Sequence, residues 1–220
     1  EALNEILVSI CYSNMNVKLT GSHAGLATGE DGPTAQSIID ISVMRTLPNM
    51  SVIVPADAVE AEKVTVYMAQ HVGPVYMRTA RPPTPVLLGQ DYSFEFGKAK
   101  LLREGQNVSL IACGVMVSEA LKAAELLQQE GINANVINMS TIKPLDKGTI
   151  IAAAKKTGAI VTCEDHSVIG GLGTAVQEVL MDNNIFAVVE KVGVNDRFAE
   201  SAPFEQLYQR YGLSPQHITD

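Results

Sequence analysis

The 220-residue chain has no tryptophan, 5% aromatic residues and three cysteines, and these shortages narrow what it can be. Cys11, Cys113 and Cys163 stand far apart and in odd number, with no CxxC and no His-rich spacing. Neither a disulfide framework nor a zinc site is expected, and no metal ligand is assigned. That usage fits a reducing cytosol, so a cytoplasmic location is expected. Cys113 and Cys163 each end a short apolar run, which predicts buried small hydrophobes and not nucleophiles. No apolar stretch approaches the roughly 18 residues of a membrane span, and the first residues lack a basic-then-apolar export signal. Basic charge is also short: 16 Lys and Arg against 24 Asp and Glu leave a net charge of −8. Binding a phosphate backbone needs clustered cations, so no nucleic-acid partner is expected. The longest basic run, Lys155-Lys156, ends an apolar-periodic stretch and reads as a helix C-terminus facing its own dipole.

What the sequence does have is 46% hydrophobic and 18% charged residues, enough to bury a sizeable core in two small domains. It opens with Glu1 rather than Met, inside the amphipathic pattern Leu3, Ile6, Leu7, Ile10, as though cut from something longer. After that helix, Asn16 to Thr20 reads as a strand and Gly21 to Pro33 as a Gly-rich loop. Thr34 is a plausible N-cap for a helix reaching Arg45. Ser51 to Val54 reads as a buried strand, Asp57 as the cap of a helix to about Gln70, and Pro74 to Arg78 as a third strand. From Ala80 to Phe96, prolines 82, 83 and 85 and Gly89 interrupt the periodicity. A linker over 83–96 is therefore placed between units 1–82 and 97–220.

The second unit repeats the rhythm. Strands are predicted near Ala99 to Leu102, Val108 to Cys113, Ala134 to Asn138, Ala159 to Cys163 and Phe186 to Lys191. Helices are predicted over Ser118 to Gln129, Lys147 to Lys156, Gly173 to Met181 and Pro203 to Tyr211. Strands alternating with helices through short loops mean an α/β fold, with two three-layer α/β/α units and mostly parallel sheets. Ligands collect at the carboxyl ends of strands in such sheets, and both Gly21 to Pro33 and Arg78 to Arg81 leave strands there.

The most informative run is Gly21-Ser-His-Ala-Gly-Leu-Ala-Thr-Gly-Glu-Asp-Gly-Pro-Thr34, which places one imidazole and two carboxylates among glycines. His23 is a polar-pocket candidate. Asp31 is equally a turn-former or a ligand contact on spacing alone. This run, followed by LPNMSVIVPADAVEAEK and YMRTARP, resembles the pyrimidine-binding domain of transketolases. INMSTIKPLD, VTCEDHSVIGGLGTAV and DRFAESAPFEQLYQRYGL resemble the transketolase C-terminal domain, so the likeness covers nearly the whole chain.

The resemblance implies transfer of two-carbon ketol units between sugar phosphates, with thiamine diphosphate and magnesium or calcium. It matches His23 to a histidine near the sugar, Asp31 to an aspartate on a donor hydroxyl, and Arg81 to an arginine on the substrate phosphate. His23 and Asp31 are thus the expected catalytic residues. A guanidinium suits phosphate because its fork of donors meets two oxygens at once. Arg78 lies close and competes for that role, with Arg81 favoured. His166, in Glu164-Asp165-His166, belongs to a terminal domain expected to lie away from the chemistry, and reads as structural or as an interface residue.

Two departures bear on what the chain can do. Ala35 stands where many relatives have His or Gln, which puts substrate preference in question. The glutamate that activates the aminopyrimidine ring, its stacking aromatics and the diphosphate-binding domain are expected upstream of Glu1, so no cofactor-binding residue is assigned here and the first sheet is expected to have an open edge. The implied partners are a protein or segment carrying the diphosphate-binding domain and a second copy of the chain, in a dimer or heterotetramer. The rival readings are another thiamine-dependent relative (deoxyxylulose-phosphate synthase, dihydroxyacetone synthase or the beta chain of a 2-oxo-acid dehydrogenase) and a non-catalytic interaction module.

Overall fold

The computed structural model describes residues 2–220; Glu1, and with it the reading of a chain opened at that residue, lies outside the described residues. The first part runs α1 (Ala2–Glu5), a π-helix (Ile6–Tyr12), β1 (Lys18–Gly21), a 3-10 segment (Leu26–Asp31), α2 (Asp40–Thr46), β2 (Ser51–Ile53), α3 (Ala58–Gln70) and β3 (Val75–Arg78). Residues 79–99 then contain no helix or strand. The second part runs β4 (Lys100–Arg103), β5 (Val108–Ala112), α4 (Met116–Gln129), β6 (Ala134–Asn138), β7 (Thr141–Lys143), α5 (Lys147–Thr157), β8 (Ala159–Ser167), α6 (Leu172–Asp182), β9 (Val188–Val194), α7 (Phe204–Tyr211) and α8 (Pro215–Thr219).

Local chemistry sets several of these boundaries. The Asp57 carboxylate accepts from the Glu60 N–H at 2.8 Å and opens α3, and Asp146 accepts from the Thr149 N–H at 3.1 Å and opens α5. Lys155 and Lys156 occupy the last turn of α5, and Gly158, left-handed at φ 68°, stops it. The helix expected from Thr34 instead starts at Asp40. The intervening residues are held in loop form: Gln36 Nε2 donates to the Gly29 and Glu200 carbonyls, each at 3.0 Å, and Ser37 bridges Ala24.

Two sheets form, in strand order β1-β3-β2-β7 and β4-β6-β5-β8-β9. All neighbours are parallel except β7 beside β2 and β4 beside β6. Helices cover both sides, giving the expected mostly parallel α/β architecture. Strand β7, which follows β6 in the chain, crosses over and pairs antiparallel with β2, so β1 and β7 are the outer strands of the first sheet. Lys143 on β7 donates from Nζ to the Arg45 and Leu47 carbonyls at 2.9 and 2.6 Å, closing the end of α2 as well.

The core runs across both parts. Val52, Val54 and Tyr76 pack in one cluster with Ile111, Cys113, Met139 and Ile142. Leu26 and Ala27 from the Gly-rich loop pack with Leu110, Met116 and Leu207. Apolar burial of this kind supplies most of the stabilisation of a fold and is not confined to either sheet.

Candidate functional site

Strands β1 and β3 are parallel neighbours with Gly21 opposite Arg78, so the chain leaves both at one edge. Beyond β1, His23 adopts left-handed backbone at φ 60°, and its exposed imidazole places Nδ1 at 3.1 Å from the Ser22 hydroxyl. The chain then turns inward at Gly25 and winds into the 3-10 segment. Thr28 sits at its centre, fully buried: its hydroxyl donates to the His23 carbonyl at 2.5 Å, and its own carbonyl accepts from Arg81 Nη1 at 2.8 Å.

Arg81 reaches this loop from beyond β3. Its Nη1 lies 3.1 Å from the Glu30 carboxylate and 3.7 Å from that of Asp31, and the Arg81 side chain remains 39% exposed. Asp31 and Arg81 are therefore brought together. His23 is joined to them through Thr28, while its ring meets Ser22. Ala35 is exposed on the same loop. Arg78, the competing guanidinium, is occupied internally. It pairs with Asp40 at 3.2 Å and donates to the Asp165 carbonyl at 2.6 Å, and it is 5% exposed.

The terminal part packs directly against this loop. The Asp165 carboxylate accepts from the backbone N–H of Leu26 at 2.7 Å and of Ala27 at 3.0 Å, and from the Tyr208 hydroxyl at 2.9 Å. Burial pushes its pKa up, opposed by Arg78 and by these donors. Ser201 Oγ donates to the Glu30 carbonyl. On either side of Asp165, Glu164 accepts from the N–H groups of Leu172 and Gly173 at the start of α6, and His166 Nε2 accepts from the Ser42 N–H at 3.3 Å. The three consecutive side chains thus grip three different elements. His166 is fully buried and held below its ordinary pKa, at about 4, chiefly by burial.

Sequence reasoning did not single out Thr28, Gln36, Asp165 or Ser201. The available signal was a charged triplet directly following the apolar strand Ala159 to Cys163, because buried charges need partners. Nothing in the sequence could say that Leu26 and Ala27, 139 and 138 residues away, are those partners.

A separate cleft of about 280 Å³ opens between the two parts, lined by Asp57, Arg78, Thr79, Cys113, Gly114 and Asp165 among others. Its lining excludes His23, Asp31 and Arg81, whose ion pair lies on the more open surface. Burial pushes the Cys113 and Cys163 thiols well up, which disfavours the thiolate form a nucleophile needs. Among the described residues, no three His, Cys, Asp or Glu side chains gather as a metal site, and no helix is long and apolar enough to cross a membrane.

Comparison with known proteins agrees with this architecture. The transketolase pyrimidine-binding domain family matches residues 3–85 and the transketolase C-terminal domain family matches residues 97–218. A 6-deoxy-6-sulfo-D-fructose transketolase subunit from Clostridium sp. strain MSTE9 is 40% identical over 98% of this chain, which spans 66% of that protein. One of the subunits of an apulose-4-phosphate transketolase from Phocaeicola vulgatus is 37% identical over 99% of the chain, which spans 69% of it. Among solved structures, a split gene transketolase described as an inactive beta4 tetramer superposes with a TM-score of 0.93 at 44% identity, covering 99% of this chain and 69% of that one. The chain therefore belongs to the thiamine diphosphate-dependent transketolase family, whose C-terminal section it carries.

Proposed function

We propose that this chain is the substrate-phosphate side of a transketolase that moves a two-carbon ketol unit between sugar phosphates. The observation that carries the reading is the Arg81 guanidinium, 39% exposed at the strand ends and held over the Gly-rich loop beside Asp31. Arg78, buried and already paired, has no comparable access to solvent. A planar fork of N–H donors meets two phosphate oxygens at once. In this reading the Asp31 carboxylate accepts a hydrogen bond from a sugar hydroxyl on the same ligand, and the His23 imidazole offers a second polar contact.

Among the described residues no cluster of metal-ligating side chains gathers, so no residue of this chain is assigned to the metal or to the diphosphate. In this reading a protein or segment carrying the diphosphate-binding domain holds the cofactor, with magnesium or calcium, and no step of the chemistry is assigned to the chain alone. Relatives that are themselves named as subunits support the need for a partner. Reconstitution tests the proposal. The chain is mixed with a partner carrying that domain, and ketol transfer from xylulose 5-phosphate to ribose 5-phosphate is followed. Activity in the mixture and in neither component alone is the expected result; full activity from the 220 residues by themselves defeats it.

A further inference from the structure

We propose that Asp165 is a positioning residue for the sugar-phosphate site, acting from the terminal part through the Gly-rich loop; the inference rests on the reading of Arg81 and Asp31 just given. Its carboxylate takes the place of an N-cap for the 3-10 segment, which has no capping side chain of its own. Helix N-termini leave unsatisfied N–H groups, and here two of them, in a buried setting, are met by a side chain from β8.

The consequence propagates in a short chain of contacts. Fixing Leu26 and Ala27 fixes Thr28, the next residue. The Thr28 carbonyl then holds Arg81 at 2.8 Å and its hydroxyl holds the His23 backbone at 2.5 Å. Beyond a kink at Gly29 (φ 71°, ψ −124°), the chain brings Asp31 to within 3.7 Å of Arg81. All three expected site residues are thus referenced to one carboxylate. The Asp165 carbonyl also accepts from Arg78 at 2.6 Å, tying the same residue to the end of β3, from which Arg81 departs.

Gly25 supplies independent support. It is left-handed at φ 76°, and a Cβ there would run into the Asp165 carboxylate and lie 2.6 Å from the Asp165 carbonyl oxygen. The loop is therefore built to let this side chain approach its backbone, a use of glycine distinct from turn formation.

Two variants of the full chain, each mixed with its partner, test the inference by NMR titration with ribose 5-phosphate. Asp165→Asn keeps the size but turns an NH2 group toward at least one of the three donors now met by oxygen. Gly25→Ala disturbs the same contact from the loop side and leaves Asp165 in place, so it decides the matter if the first variant does not fold. Each is expected to weaken ribose 5-phosphate binding about tenfold, the order of a lost hydrogen bond to a charged group. Exchange of the Leu26 and Ala27 amides should quicken, with β5 amides protected as in the wild type. A merely structural role would lower β5 protection together with affinity. Wild-type affinity and loop protection in a folded variant overturn the inference. If the wild-type chain mixed with its partner does not respond to ribose 5-phosphate, the sugar-phosphate reading falls, and the exchange rates alone decide whether Asp165 holds the loop.

Discussion

Arg81 Nη1 lies 3.1 Å from a Glu30 carboxylate oxygen, so the guanidinium proposed for phosphate is already in contact with an anion of its own chain. The pair is exposed and screened by water, and is worth little to stability. Its effect falls on the ligand, which must compete with Glu30 for the same donors. Glu30→Gln is expected to strengthen ribose 5-phosphate binding about two- to fivefold, in line with the modest value of an exposed pair. Calorimetric or NMR titration measures it; unchanged or weaker binding shows that Glu30 does not compete.

Lys143 is the point at which the crossing strand β7 fastens α2. Its two bonds go to carbonyls at the end of that helix, where the dipole also favours a cation. Lys143→Met keeps much of the aliphatic stem and removes both bonds, at an expected cost of about 1–3 kcal/mol. Urea denaturation reports it. With a core shared by both parts, the transition should stay single in the wild type, and two separate transitions there would contradict the interlocked description.

Glu60 is fully buried on α3 and joins three segments. One oxygen accepts from the Ala56 N–H at 2.8 Å and from Asn138 Nδ2 at 2.9 Å, and the other accepts from the Tyr92 hydroxyl at 2.8 Å. Glu60→Ala strands the buried Ala56 and Asn138 donors and leaves the part-buried Tyr92 hydroxyl without its partner. A loss of about 3–5 kcal/mol is expected, the range for removing one partner of a buried charged network. A loss under about 1 kcal/mol by chemical denaturation would mean that water or rearrangement meets these donors.

Glu164 gives a pH dependence whose sign is fixed by its burial. Burial raises its pKa from 4.5 to about 7 in the folded chain. Between those values the native state holds a proton that the unfolded state has released, so the contribution of this group is full below 4.5 and is lost as pH rises toward 7. His166 acts oppositely: its depression to about 4 means that stability falls as pH drops from 6.5. Comparison with Glu164→Gln removes the first effect, together with the carboxylate that lies 3.5 Å from His166 Nδ1. The stability advantage of the wild type over the variant should shrink as pH rises from 4.5 to 7 in thermal melts, and an advantage that grows over that interval contradicts the assignment.

Where a feature depended on neighbouring residues, the sequence displayed it. The strand expected at Ala134–Asn138 is β6, and Asp57 sits directly ahead of the helix it opens. The Gly-rich run and the arginine after β3 marked the two loops that meet. Features that depended on distant partners were not displayed. Strand β7 has only three residues, too few for a periodic signal, and its partner β2 lies about ninety residues earlier in the chain. The late start of α2 follows from Gln36 being held by Glu200, and the organisation of the loop follows from Asp165. Tertiary contacts of this kind override local propensity, which is why Thr34 looked like a cap and is not one.

The most direct test of the central claim is Arg81→Met in the reconstituted enzyme, assayed with a phosphorylated and an unphosphorylated acceptor. A phosphate contact predicts that KM for ribose 5-phosphate rises about tenfold or more while KM for unphosphorylated glycolaldehyde stays put. Equal KM values in variant and wild type for both acceptors, or an equal rise for both, would contradict a phosphate-binding role for Arg81.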